Sequence, residues 1–259
     1  MATAGIDVGT QTVKVVILQN GEVISRAKAF CGFDPAKSAE DALDEALKTA
    51  KTKLADLKHI TATGSGMELA PHFNSTISMM GADAKAGVRL FPKARTIIDI
   101  GAEEARAVKC DERGVMADFV VNERCAAGAG AFIEAMARAL ELKMEDMGPL
   151  SLNAERASAI NASCVMFGES DVVTLIHRKE SKPEIARAVF DAMADRVSSM
   201  VRRLGINPDV VLVGGVAKDV GFVASLKRKL GVDVLIPEFP EFAGAFGAAL
   251  VAAGRVKEA

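Results

Sequence analysis

Apolar positions in the first thirty residues follow the two-residue period of strands. The runs TVKVVIL and EVISRAKAF flank Gln19-Asn20-Gly21, and Asn-Gly takes up the left-handed dihedrals that join twisted strands in a tight turn. A further strand precedes them at Ala4–Val8. From Ser38 to Leu54 the period changes: Ala42, Leu43, Ala46, Leu47, Ala50 and Leu54 recur at helical spacing, with charges on the opposite face. This pattern predicts an amphipathic helix packed on a sheet. A strand at Ile60–Thr63 ends in Gly64-Ser65-Gly66, and a less regular stretch of small residues continues to Pro92.

The opening pattern then returns. Thr96-Ile97-Ile98-Asp99-Ile100-Gly101 has the form of Ala4-Gly5-Ile6-Asp7-Val8-Gly9: a hydrophobic strand, an aspartate, an aliphatic residue and a glycine. Strands at Ala105–Cys110 and Val115–Val121, turning at Glu112-Arg113-Gly114, repeat the hairpin. Two related halves are therefore expected, residues 1–93 and 94–259, with the last helix packing back on the first half. Helices are predicted around 128–141, 153–161, 168–178 and 184–204, the last stopped by Gly205. The uncharged strand Val210–Val213 leads to Gly214-Gly215, opening a helix to about Leu230, then a strand at Val232–Ile236 and a small-residue helix at Ala243–Ala253. Strands alternating with helices make the fold class α/β.

At 259 residues and 50% hydrophobic, the chain can bury a substantial core. A net charge of −2 and a pI near 6.0 give no general footprint for a phosphate backbone, so nucleic acid is not an expected partner. The start, MATAGIDVGT, lacks a basic and then apolar leader, and no run of about 18 uncharged apolar residues occurs. No membrane association and a cytoplasmic location are expected. Cysteines 31, 110, 125 and 164 follow no CxxC or disulfide-scaffold spacing, and in a reducing compartment they are thiols or metal ligands.

The chemistry concentrates in the repeated hairpins. After Asp7, the turn Gly9-Thr10-Gln11-Thr12 offers backbone N–H groups and two hydroxyls to an anion, Lys14 adds a cation, and the carboxylate suits Mg²⁺ held through water. One such turn is equally a capped hairpin; two facing each other would place Asp7 and Asp99 on either side of one metal–phosphate group. In VVLVGGVAKD, Gly214 and Gly215 let backbone approach a ligand closely at a helix start, with Lys218 nearby. These three elements in this order resemble the fold shared by sugar kinases, actin and heat-shock ATPases, of ribonuclease H-like type. That resemblance implies an ATP cleft between two subdomains, with both hairpins, Gly101 included, on phosphates and the glycine pair against adenosine.

Cys125 enters a helix in NERCAAGAGAF and Cys164 precedes another in NASCVMFGES, where helix N–H groups favour a thiolate. A cysteine is also often a small core residue. The pieces CAAGAGAFIEAMA, CVMFGE, GGVAKDVGFVASLKRKLG and GAFGAAL resemble the ATP-dependent electron-activating family, which includes activators of 2-hydroxyacyl-CoA dehydratases and ATPase subunits of benzoyl-CoA reductase. The resemblance implies that Cys125 and Cys164 ligate one [4Fe–4S] cluster shared with a related ATPase subunit, since a cubane cluster takes four thiolates. It also implies larger catalytic subunits binding a CoA thioester and a ferredoxin-like electron donor. Cys31 and Cys110 lack such surroundings and read as packing residues.

The second hairpin departs from the family's DIGGQDxK run, reading Asp99-Ile100-Gly101-Ala102-Glu103-Glu104-Ala105-Arg106. Glu103 or Glu104 is then the residue expected to position water, beside Asp7 and Asp99. Gln11 also stands where a small hydroxyl residue is usual. The GAEE variant favours a benzoyl-CoA reductase subunit, with a homodimeric dehydratase activator as the alternative. A small-molecule kinase or a nucleotide-responsive scaffold of the same fold are the further readings.

Overall fold

A computed structural model describes residues 1–122, 128–161 and 163–258. The chain forms two compact units. Residues 1–95, 109–117 and 241–259 make the first; residues 96–108 and 118–240 make the second.

The first unit contains β1 (Ala2–Val8), β2 (Thr12–Gln19), β3 (Glu22–Phe30), α1 (Pro35–Ala50), β4 (Leu57–Thr63), β5 (Ser75–Thr76) and α2 (Met79–Leu90). Its sheet runs β3-β2-β1-β4-β5, antiparallel through β3, β2 and β1 and parallel from β1 to β5. Asn20 and Gly21 both have positive φ, 54° and 89°, the geometry of a turn whose twist matches its strands. Asp34 caps α1 by accepting from the Lys37 N–H, and Pro35 occupies the first helical position. The predicted apolar stripe of Ala42, Leu43, Ala46 and Leu47 is buried, packed against the β-sheet core of Ile6, Val15 and Ile17.

The second unit contains β6 (Thr96–Ile100), most of β7 (Ala105–Cys110) and β8 (Met116–Val121), α3 (Gly130–Ala139), α4 (Met144–Ser151), α5 (Val165–His177), α6 (Lys182–Leu204), β9 (Val210–Val213), α7 (Val220–Leu230) and β10 (Val234–Leu235). Its sheet order is β8-β7-β6-β9-β10, the order of the first sheet with each strand replaced by its counterpart. The register agrees too: Asp7 lies opposite Thr63 on β4, and Asp99 opposite Val213 on β9. The last helix, α8 (Ala243–Glu258), belongs to the first unit. A side chain on Gly5 would overlap the α8 backbone at Ala245 and Ala249, and one on Gly247 would overlap Ala82 of α2. The small residues of α8 therefore permit backbone-to-backbone packing on a strand and a helix.

Three segments differ from the sequence expectation. The stretch before Pro92 holds α2, capped by Ser78, whose buried residues are Ala82, Asp83, Ala84, Ala86 and Gly87. These include no large apolar residue to reveal the helical period. The helix expected at 153–161 is absent; α4 precedes it and includes Pro149. None of residues 153–161 is fully buried, so no packing would stabilise a helix there. After Gly214 a 3₁₀ turn, Gly215–Lys218, comes first, and α7 starts only at Val220, capped by Asp219. Among the described residues no helix is long and apolar enough to cross a membrane.

Candidate functional site

In the first hairpin the Gly9 N–H donates to the Thr12 carbonyl at 3.1 Å, closing the turn. Asp7 and Lys14 are cross-strand partners, and Lys14 Nζ lies 3.2 Å from Asp7 Oδ2, both side chains largely buried. A Cβ on Gly9 would sit 3.1 Å from that ammonium, so the cation lies against the turn. Thr10 is exposed, Gln11 and Thr12 half-buried, and the Gln11 carbonyl accepts from the Cys31 N–H at 2.8 Å.

The second hairpin repeats this construction. The Gly101 N–H donates to the Glu104 carbonyl at 2.8 Å. Arg106 Nε lies 3.2 Å from Asp99 Oδ2, with side chains 8% and 14% exposed, and Arg106 Nη2 reaches to 4.0 Å from Glu104 Oε2. Glu103 is exposed on the turn and Glu104 half-buried. Arg106 stands seven positions after Asp99, as Lys14 does after Asp7. This spacing marks its role in the sequence, where the DIGGQDxK run ends on a lysine at the same position.

Behind each aspartate lies a glycine with positive φ. Gly64, φ 96°, follows β4, and a side chain there would overlap Asp7 Oδ1 and the Val8 carbonyl. Gly214, φ 90°, follows β9, and a side chain there would overlap Asp99 Oδ1 and the Ile100 carbonyl. Both positions demand glycine twice over, for dihedral and for space. Gly64 is not among the residues expected at the site; Gly214, expected against adenosine, packs on the second hairpin in this structure. Gly215 faces open space, and Lys218 is exposed at the end of the 3₁₀ turn.

Cys125 lies outside the described residues. Cys164 is the N-cap of α5, half-buried, and its carbonyl accepts from the Gly168 N–H at 3.0 Å. Cys31 and Cys110 are buried, and burial pushes both thiols above their ordinary range. The second hairpin is tied to α3: the Gly130 N–H donates to the Gly101 carbonyl at 3.0 Å and the Ala131 N–H to the Ala102 carbonyl at 2.8 Å. Phe132, fully buried, packs its ring against Gly168 of α5, where a Cβ would come within 2.7 Å of it. Hydrogen bonds and one ring contact thus connect the Gly101 turn to the helix that Cys164 begins. Among the described residues no cluster of three or more His, Cys, Asp or Glu side chains forms a metal site.

The family model for the BadF/BadG/BcrA/BcrD ATPases matches residues 4–252. The chain belongs to this ATPase family. Dehydratase activators and a reductase subunit match it over more than nine-tenths of both chains. The activator of lactoyl-CoA dehydratase from Anaerotignum propionicum is 37% identical over 252 residues, covering 97% of each chain. The 2-hydroxyisocaproyl-CoA dehydratase activator of Clostridioides difficile is 34% identical over 260 residues, covering 100% of this chain and 97% of that one. A benzoyl-CoA reductase subunit from Thauera aromatica is 34% identical over 265 residues, covering 98% and 93%. The solved Clostridium difficile activator, with bound ADPNP, superposes with a TM-score of 0.93 at 32% identity, covering 100% of this chain and 96% of that one. A ROK-family glucokinase from Streptomyces griseus, at 15% identity and a TM-score of 0.59, covering 98% and 100%, shares the fold. The actin-like and sugar-kinase architecture expected from the three elements is thereby established.

Proposed function

We propose that this chain is the ATP-hydrolysing activator of a 2-hydroxyacyl-CoA dehydratase, working as a homodimer. The observation that carries the reading is the duplicated Asp–Gly hairpin, each with an ion-paired aspartate, in a chain that aligns end to end with dehydratase activators. This replaces the benzoyl-CoA reductase preference drawn from Ala102-Glu103-Glu104. Three residues in one turn weigh little beside matches of 34% and 37% to activators over at least 252 residues, and the Thauera aromatica reductase chain offers no closer agreement.

In this reading Thr10, Thr12, Lys14 and the turn N–H groups bind phosphate. Asp7 and Asp99 would hold Mg²⁺, which would supply positive charge for phosphoryl transfer; Glu104 orients the attacking water, and the Gly214-Gly215 run lies along the nucleotide. Cys125 and Cys164 are the residues that would hold a [4Fe–4S] cluster, which when bound supplies a one-electron centre. The half-exposed thiol of Cys164 at a helix start fits a ligand role, whereas buried Cys31 and Cys110 do not. Two thiolates from one chain leave such a cluster half-ligated, so a second chain must supply the rest. Support for that surface comes from α5, where Met166 and Phe167, 75% and 61% exposed, lie beside Cys164, with Val173 and Ile176 also exposed. The links from Gly101 and Ala102 through α3 to α5 give the nucleotide turn a mechanical connection to Cys164.

Anaerobic purification tests this directly. A cluster would show as a brown visible absorption, in a region where no protein side chain absorbs, and because the chain contains no Trp or Tyr its own near-ultraviolet absorption is weak as well. About four irons per two chains are expected, and both iron and colour should be lost in Cys164→Ser. An iron-free dimer with both thiols intact would remove the redox reading and leave a kinase or scaffold. Glu104→Gln should lower ATP turnover about tenfold, and a scaffold would have no turnover to lose. Stable co-isolation with a non-identical ATPase would return the assignment to a benzoyl-CoA reductase.

A further inference from the structure

The geometry points to Arg106 as the positioning residue of the second hairpin, holding Asp99 and Glu104 in place for ATP hydrolysis. Its guanidinium is almost entirely buried and is within ion-pair distance of both carboxylates, 3.2 Å from Asp99 and 4.0 Å from Glu104. The Asp99 carboxylate is itself confined, with Gly214 against Oδ1 and the arginine against Oδ2. A planar guanidinium presents several N–H groups at fixed angles, so one side chain can restrain two carboxylates at once, which a lysine ammonium does less well.

The first hairpin shows what this adds. There Lys14 serves a single carboxylate, Asp7, and the turn residues are neutral. The second turn gathers three carboxylates, Asp99, Glu103 and Glu104. The buried guanidinium offsets the repulsion between the Asp99 and Glu104 carboxylates. The arginine also lies over the turn, its Nη2 3.7 Å from where a Gly101 Cβ would be. Its charge therefore sits beside the backbone that the proposed function assigns to phosphate and water.

The inference rests on the ATPase reading, so the wild-type protein is assayed first. No Mg²⁺-dependent turnover in the wild type would remove that reading and this inference together. With turnover established, Arg106→Gln is expected to lower kcat about a hundredfold while KM for ATP moves less than about threefold, because orientation and not nucleotide affinity is lost. Arg106→Lys, which keeps the charge and the fold, should retain about a tenth of kcat. Combining Arg106→Lys with Glu104→Gln should cost little more than the worse single change, since both break one arrangement. A folded Arg106→Gln protein with kcat within about threefold of wild type would overturn the inference. So would losses that multiply in the double variant, which remains decisive if the glutamine variant does not fold.

Discussion

In the first hairpin one carboxylate, Asp7, is matched by one ammonium, Lys14, and the turn between them carries threonines and a glutamine; in the second, two carboxylates, Asp99 and Glu104, share a single guanidinium, and Glu103 is exposed beside them. The supporting backbone is nevertheless the same in both. Each turn closes with a glycine N–H on the carbonyl three residues later, and each aspartate backs onto a positive-φ glycine from the neighbouring parallel strand. The contrast separates what holds an aspartate in place from what the turn does with it. Close glycine contacts and strand register fix the carboxylates, while the turn side chains set local charge. The first turn is neutral apart from the Asp7–Lys14 pair, while the second carries more carboxylates than the one guanidinium balances.

A second contrast lies in attachment. Gly101 and Ala102 accept from the first N–H groups of α3, whose Phe132 packs on α5. Breaking that connection should have the largest effect on stability. Phe132→Ala removes a fully buried ring and is expected to cost about 4 kcal/mol by chemical denaturation. In whatever fraction folds, nucleotide should no longer alter the reactivity of Cys164 toward a thiol reagent.

Next in size are the two glycines. Gly64→Ala and Gly214→Ala each impose strained dihedrals and an overlap with a carboxylate, and each should cost about 3 kcal/mol. Similar losses at both would sharpen the equivalence of the hairpins. A loss at Gly214 alone would break it.

The smallest effect concerns Asp219, the cap of α7, which has no equivalent cap at the short 3₁₀ turn Met67–Leu69 after Gly64. Burial pushes its carboxyl above the ordinary value of 3.8, outweighing the backbone N–H bonds from Phe222 and Gly221 that lower it. A carboxyl raised in the folded state binds its proton more tightly there than in the unfolded chain. Its contribution to stability is therefore present below pH 3.8 and fades as pH rises through the higher folded value. Asp219→Asn keeps an oxygen for both N–H groups and should flatten that slope, leaving neutral stability within about 0.5 kcal/mol, whereas Asp219→Ala loses the cap and about 1 kcal/mol. Urea unfolding at a series of pH values checks both.

Much of this arrangement was legible in the sequence because turns and strands are written locally. The Asp-x-Gly repeat, Asn20-Gly21 and the stripe of α1 each carry their own signal. The helix α2 was hidden because alanine and glycine bury a face without marking its period. Gly64 was hidden for another reason: its meaning depends on strand pairing, which sets a glycine after β4 against the carboxylate of Asp7, whereas Arg106 was legible only through its spacing from Asp99. Cys31 illustrates the converse. Its sequence context suggested packing, and its burial beneath the end of the first hairpin, with the Cys31 N–H on Gln11, agrees.

The central claim is that both hairpins serve one ATP hydrolysis, and turnover of the purified chain with Mg²⁺ and ATP, compared between wild type, Asp7→Asn and Asp99→Asn, tests it most directly. Each substitution is expected to lower kcat about a hundredfold, close to 2.7 kcal/mol of transition-state stabilisation, with the fold intact. Turnover that survives either change undiminished, or a wild-type chain with none, would contradict the account.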